Sequence, residues 1–217
     1  MKLLIAIPTR DQMPYQFVKC LTDLIRKLDE DEVNYEIAFQ GATLVYLGRD
    51  KLAEKAMDEG FSHVLWLDSD MTFKADLLDD LMFCGKPFVT GLAVGRRAPH
   101  CACVFKEVLP KVDRYTYNDY PNGPFRIGAC GFACVLIETR ILEAVWKQFG
   151  TCFFPTRELG EDVAFCYKAT RLGFEIWAEP TVQLGHIGTK IFYPIDEVNY
   201  ANSIQNFNEV NDNARKG

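Results

Sequence analysis

A chain of 217 residues that is 48% hydrophobic can bury a substantial core, and its length suits one large domain. A formal net charge of -6 and a pI near 5.2 leave no basic footprint of the kind a dedicated nucleic-acid binder carries. The opening run Met1–Pro8 is too short for a secretion signal and lacks a small-residue cleavage site, and no apolar stretch approaches the ~20 residues that span a bilayer, so a cytoplasmic protein is expected.

Leu3 to Ile7 predicts a first strand, and Pro14 opens a helix in which Leu21, Leu24, Ile25 and Leu28 recur at helical spacing. Tyr35 to Phe39 reads as a second strand. A helix from about Asp50 to Glu59 stacks Leu52, Ala53, Ala56 and Met57 on one face, and Gly60 ends it. Val64 to Leu67 is the short unbroken apolar run expected of a strand buried on both faces. A helix carrying Leu77, Leu78, Leu81 and Met82 follows, then a strand from Pro87 to Leu92. This alternation predicts an α/β class with a mostly parallel central sheet flanked by helices.

The second half changes character. Cys103 to Phe105 and Gly128 to Ile137 read as strands, with Gly128 and Gly131 marking kinks or close approaches. Thr139 to about Phe149 predicts a helix with Ile141, Leu142, Val145, Trp146 and Phe149 on its apolar face. Gly160-Glu161-Asp162 starts another helix that Gly173 stops, and Phe174 to Ala178 makes a last strand before a loop at Gly185 to Gly188. Lys106 to Pro124 lacks periodicity and suits a long active-site loop. Beyond Pro194 the residues turn polar and Asn-rich, as in a tail that lies on the surface or is partly disordered. The eight cysteines include no pair of CxxC-type knuckles at zinc-finger spacing, and most sit beside Phe, Val, Ala or Leu, so they read as reduced core thiols. Trp66, Phe132 and Trp177 read as core aromatics.

Chemistry concentrates at Asp68-Ser69-Asp70, where an apolar strand stops at two acids separated by one small residue. Ligands of open α/β sheets sit at that carboxyl end, and paired carboxylates there can hold Mg2+ or Mn2+ shared with substrate phosphates. His186, between Gly185 and Gly188, can complete a metal shell as a neutral imidazole. Glu161 and Asp162 are favoured at a helix start by the macrodipole and can also act as bases. Arg96 and Arg97 read first as solvated loop charges, with contact to a phosphate or an acidic acceptor as the alternative.

The order of these features resembles the glycosyltransferases of the GT-A fold, particularly the family 2-like group: strand and Asp-x-Asp, glycine-interrupted strand, Glu-Asp at a helix start, Trp177-Ala178-Glu179-Pro180, then Gly185-His186-Ile187-Gly188. The similarity runs from Ile5 to about Gly188. Ile5 to Arg10 resembles the family's opening strand and nucleotide loop, Leu65 to Asp70 its DxD motif, and Gly160 to Phe174 its ED-containing helix with an Arg-x-Gly-aromatic end. The resemblance implies a single Rossmann-like GT-A domain over residues 1–194, with a nucleotide-sugar-binding half at 1–95, an acceptor half at 96–194 and a polar tail at 195–217.

It further implies that Asp68, Asp70 and His186 coordinate Mn2+ or Mg2+ on the phosphates of a nucleoside-diphosphate sugar. Pro8, Thr9, Arg10 and Gln40 would line the nucleoside pocket, with Arg49 and Ser69 also on the donor. Gly48-Arg49-Asp50 looks like the family's Arg-Asn pair with Asp50 in place of Asn. Asp162 or Glu161 would be the base. The implied activity is metal-dependent, hexosyltransferase-type transfer to an acceptor hydroxyl on a small molecule, glycan, protein or modified nucleic-acid base, without a transmembrane segment. Three rivals stand beside it. Nucleotidyl transfer onto a sugar phosphate lacks its usual glycine-rich loop with a Lys or Arg directly after the first strand. A non-catalytic nucleotide- or carbohydrate-binding module needs no base, and a glycoside hydrolase using two carboxylates needs no metal.

Overall fold

Along β1 (Lys2–Thr9) every side chain from Leu3 to Ile7 is fully buried. The two-residue period of a strand sends Leu3, Ile5 and Ile7 into one core and Leu4 and Ala6 into the other. The computed structural model describes residues 1–9 and 12–216, with side chains as far as Gln205. In it α1 (Tyr15–Glu30) covers the first face through Phe17, Leu21, Leu24 and Leu28, and β2 (Asn34–Gly41) lies parallel to β1. The opposite face is covered by α2 (Val45–Asp58) through Leu52, Ala53 and Ala56.

The second helix thus begins about a turn and a half before the expected Asp50. Its first residues carry no helix signal, because tertiary contacts hold them: Tyr46 packs edge-on against Phe154 at 5.4 Å, and Arg49 docks inward. Next come β3 (His63–Leu67), β4 (Met71–Thr72), α3 (Leu77–Phe83) and β5 (Phe88–Leu92). Helices on both faces account for the unbroken apolar run at Val64 to Leu67.

The expected single strand from Gly128 to Ile137 is two, with a further short strand just before Gly128. After β6 (Val104–Glu107), β7 (Asp113–Arg114) and a 3-10 turn at Tyr117–Asp119, the chain makes β8 (Phe125–Ile127), β9 (Ala129–Cys130) and β10 (Cys134–Glu138). The cause is the close approach of β6. The Gly128 and Gly131 amides donate to Phe105 and Cys103 carbonyls at 2.7 and 2.8 Å, and a Cβ on Gly128 would lie 2.4 Å from the Lys106 carbonyl oxygen. The helices α4 (Thr139–Phe149) and α5 (Glu161–Arg171) fall where expected, and Gly173 at φ +87° ends the latter.

The last strand of the central sheet, β11 (Ile176–Gln183), runs longer than its apolar core suggested. The expected loop at Gly185 to Gly188 is instead largely β12 (Gly185–Ile187), paired with β13 (Ile191–Phe192) on one side and β4 on the other. The polar tail forms α6 (Ile195–Lys216), tied down where Glu197 accepts the Tyr117 amide at 2.8 Å.

The central sheet has the order β2-β1-β3-β10-β5-β11-β8. Strands β2, β1, β3, β5 and β11 share one direction, and β10 and β8 oppose it. Residues 1–95 supply β1, β2, β3 and β5, while 96–194 supply β8, β10 and β11. All eight cysteines are free thiols, and Cys130, Cys134, Cys152 and Cys166 are buried in the core as expected. Among the described residues no helix is long and apolar enough to cross a membrane.

Candidate active site

Parallel strands place their carboxyl ends along one edge, and the expected site residues gather there. Register pairs Pro8 with Gln40 and Thr9 with Gly41, while Ala6 lies opposite Trp66, so Asp68 emerges at the same edge as Pro8. Gln40 donates its side-chain amide to the Gly41 carbonyl at 2.8 Å. Ser69 sits half-buried in the turn joining β3 to β4. Arg10 lies outside the described residues.

Arg49 reaches Asp68 from beneath. Its Nη2 lies 2.8 Å from Asp68 Oδ1, and the guanidinium packs over the rings of Phe132 and Phe153, 5.2 and 6.0 Å from their centroids. It is only 3% exposed, and its Nε and Nη1 are buried without a hydrogen-bond partner. Asp50 faces elsewhere. It accepts the Cys152 and Phe153 amides at 3.0 and 2.8 Å and the Thr151 hydroxyl, a task for an acceptor-only carboxylate that an Asn could meet less fully. From the other side, the buried Lys168 ammonium donates to the Thr151, Cys152 and Phe154 carbonyls at 3.2, 3.0 and 3.3 Å. Together they hold the loop that presses Phe153 against Arg49.

The pairing of β4 with β12 is what brings His186 to Asp70. Met71 lies opposite His186, and the Ile187 amide donates to the Asp70 carbonyl at 2.8 Å. Here Gly185 is required by close approach, since a Cβ would lie 2.3 Å from Thr72 Oγ1. His186 Nδ1 stands 2.8 Å from the Val94 carbonyl oxygen, which can only accept, so Nδ1 carries a proton. Its Nε2 faces Asp70 Oδ2 at 3.4 Å, and Arg96 Nη1 lies 3.2 Å from that same oxygen.

Burial disfavours the charge on both partners, but their mutual hydrogen bond and attraction outweigh it. His186 is therefore raised above its ordinary value and Asp70, with Arg96 assisting, is lowered. A neutral His186 would turn a lone pair toward a carboxylate. A proton or a cation between them satisfies both.

Asp162 stands on the first turn of α5, its Oδ1 accepting the Val163 amide at 2.7 Å. Gly131 lies against it, in ordinary contact range: a Cβ there would sit 3.4 Å from Asp162 Oδ2. Burial raises the Asp162 carboxyl, with Arg49 opposing and Glu161 reinforcing the shift. Burial likewise pushes Asp68 up to about 6, against the pull of Arg49 and with the charges of Asp70, Asp162 and Glu161 behind it. The Cys103 thiol beside them is pushed up to about 12 by burial and by Asp162, so it stays protonated. Among the described residues no group of three His, Cys, Asp or Glu side chains stands close enough to hold a metal by itself.

Three parts of the site escaped sequence reading: the Val94 carbonyl that orients His186, the Phe132 and Phe153 rings under Arg49, and the wall of Cys103 and Gly131 beside Asp162. The first is backbone and leaves no sequence signal. The aromatic pair reads as ordinary core.

No protein-family model matches this chain, and no curated protein matches it in sequence. Among solved structures, A197 from STIV is similar with a TM-score of 0.62 at 16% identity, over 89% of this chain and 91% of that one. The catalytic domain of Drosophila beta1,4galactosyltransferase 7, in complex with xylobiose, is similar with a TM-score of 0.49 at 14% identity, over 82% of this chain and 64% of that one. The likeness to A197 is one of fold. The class defined here is a mixed α/β, Rossmann-like fold, with a large mostly parallel sheet between helices and the acids Asp68, Asp70 and Asp162 at its carboxyl edge.

Proposed function

We propose that this chain is a glycosyltransferase of hexosyltransferase type, moving a sugar from a nucleoside diphosphate to an acceptor hydroxyl with Mn2+ or Mg2+. The observation that carries this reading is the meeting of Asp70 with His186, held by the β4–β12 pairing at the edge where Pro8, Thr9 and Gln40 also emerge. The donor set fits a hard or borderline divalent cation. Asp70 supplies carboxylate oxygen, and His186, its Nδ1 proton committed to Val94, supplies an Nε2 lone pair. Asp68, anchored through Oδ1 by Arg49 and not grouped closely with Asp70 and His186, would contribute its second oxygen through water. When bound, the cation neutralises the charge that develops on the departing diphosphate.

Pro8, Thr9, Arg10, Gln40 and Ser69 hold the nucleotide, with residues 1–95 as the donor half. Residues 96–194 form the acceptor half. Asp162 accepts the proton of the acceptor hydroxyl, and its raised basicity suits that role nearer neutral pH. Glu161, beside it at the helix start, reinforces the shift.

The test is a melting-temperature screen of nucleoside diphosphates and their sugars, each with and without Mn2+. A ligand at a hundred times its Kd adds about 2.7 kcal/mol, or several degrees in a chain of this size. The expected rise requires nucleotide and cation together. Asp162→Asn should keep that rise and lose transfer. Absence of any nucleotide-dependent rise in Mn2+ would overturn the proposal. Donor hydrolysis without acceptor separates an enzyme from a binding module, and loss of activity in chelator separates it from a glycoside hydrolase.

A further inference from the structure

We propose that Arg96 is a phosphate-binding arm of this site, parked on Asp70 until a diphosphate arrives. The identity of the ligand rests on the nucleotide-sugar reading above; the parking and release rest on geometry. The mount is rigid. Val94 and Ala102 bridge the base of the loop, the Gly95 amide donates to the Cys101 carbonyl at 2.9 Å, and the His100 ring stacks on Phe192 at 4.7 Å. His100 Nδ1 also lies 3.1 Å from the Gly95 carbonyl oxygen.

The arm itself is loosely held. Its side chain is 49% exposed, against 4% for Arg49. Its stem crosses Gly188, where a Cβ would come within 3.2 Å of Arg96 Cδ, so glycine there keeps the path open. At the far end a single nitrogen, Nη1, reaches both Asp70 Oδ2 at 3.2 Å and the Ile187 carbonyl at 3.3 Å. Both distances are long for charge-assisted hydrogen bonds, which run about 2.7–2.9 Å. A guanidinium fork matched to two phosphate oxygens is using one prong.

Release is cheap because Asp70 is doubly served. His186 Nε2 faces the same Oδ2, so a departing Arg96 leaves the carboxylate still paired. A diphosphate entering along the carboxyl edge offers Arg96 what Asp70 withholds, a bidentate acceptor with more charge. Parking therefore keeps the acids at the carboxyl edge from standing uncompensated, and unparking gives the donor a cationic contact supplied by the chain itself.

Calorimetric titration of inorganic pyrophosphate in EDTA tests this on five proteins: wild type, Arg96→Gln, Arg96→Lys, Asp70→Asn and the double variant Arg96→Gln/Asp70→Asn. Wild type should bind, Arg96→Gln should bind about tenfold more weakly, and Arg96→Lys should recover part of the loss. Asp70→Asn should bind more tightly by freeing the arm, and that gain should vanish in the double variant. Pyrophosphate that ignores wild type, binds Arg96→Gln equally well, or gains as much from Asp70→Asn without Arg96 as with it would overturn the assignment. A separate Mn2+ titration followed by electron paramagnetic resonance isolates the cation reading. Mn2+ that fails to bind while the Arg96–Asp70 coupling persists would remove the cation and leave the arm.

Discussion

Replacing Arg49 by Met removes a buried cation whose connections are unusually few, and the balance can be worked out. The 2.8 Å bond to Asp68 is charge-assisted, a loss of about 1.5–3 kcal/mol. Stacking over Phe132 and Phe153 adds a loss of about 1 kcal/mol, which Met, itself a good partner for aromatic rings, partly restores. Against this, the unpartnered Nε and Nη1 leave the core, which returns about 1–2 kcal/mol. The net expectation is a loss of about 1 kcal/mol, or roughly 2–4 °C in melting temperature for a chain of this length.

The pH dependence is the sharper test. Asp68 has a folded value of about 6 against an ordinary 3.8, so its ionised form burdens the fold above that ordinary value, and the burden lifts as pH falls through 6. Without Arg49 the carboxyl rises further. The deficit of Arg49→Met relative to wild type should therefore be larger at pH 8 than at pH 5. Urea denaturation at both pH values reads it. An equal deficit at the two, or a larger one at pH 5, would refute the view that Arg49 chiefly compensates Asp68.

In chelator, Asp70→Asn should lower melting temperature most between about pH 4 and 6.5. The raised His186 contributes fully below its ordinary 6.5 and fades as pH rises through its folded value, while the lowered Asp70 contributes above its ordinary 3.8 and fades as pH falls through its own. Melting curves across that range check the shape, and the contribution of Arg96 should persist above it. Gly185→Ala would put a Cβ 2.3 Å from Thr72 Oγ1 and 2.5 Å from Ile191 Cγ2, so β12 must move away from β4. Denaturation should register a loss of about 2 kcal/mol, and the imidazole resonances of His186 should shift as it leaves Asp70.

Local chemistry made the first half of this protein legible from its sequence. The two-residue alternation along Leu3 to Ile7, the apolar run into Asp68, the helical spacing of Leu21, Leu24 and Leu28, and stops such as Gly60 are properties of short segments, and each governs the backbone where it stands. The acidic pair at the end of a buried strand is local in the same sense. Only tertiary structure decided how these pieces meet. Arg49 lies one helix before Asp68 with nothing nearby to mark it as the partner, and Asp50 beside it turns to the loop at Thr151 to Phe153. The early start of α2, the breaks at Gly128 and Gly131, and the strand at Gly185 all follow from neighbours distant in the chain. His186 reaches Asp70 because backbone ladders pair regardless of side chain, so the register that carries it leaves no trace in composition or period.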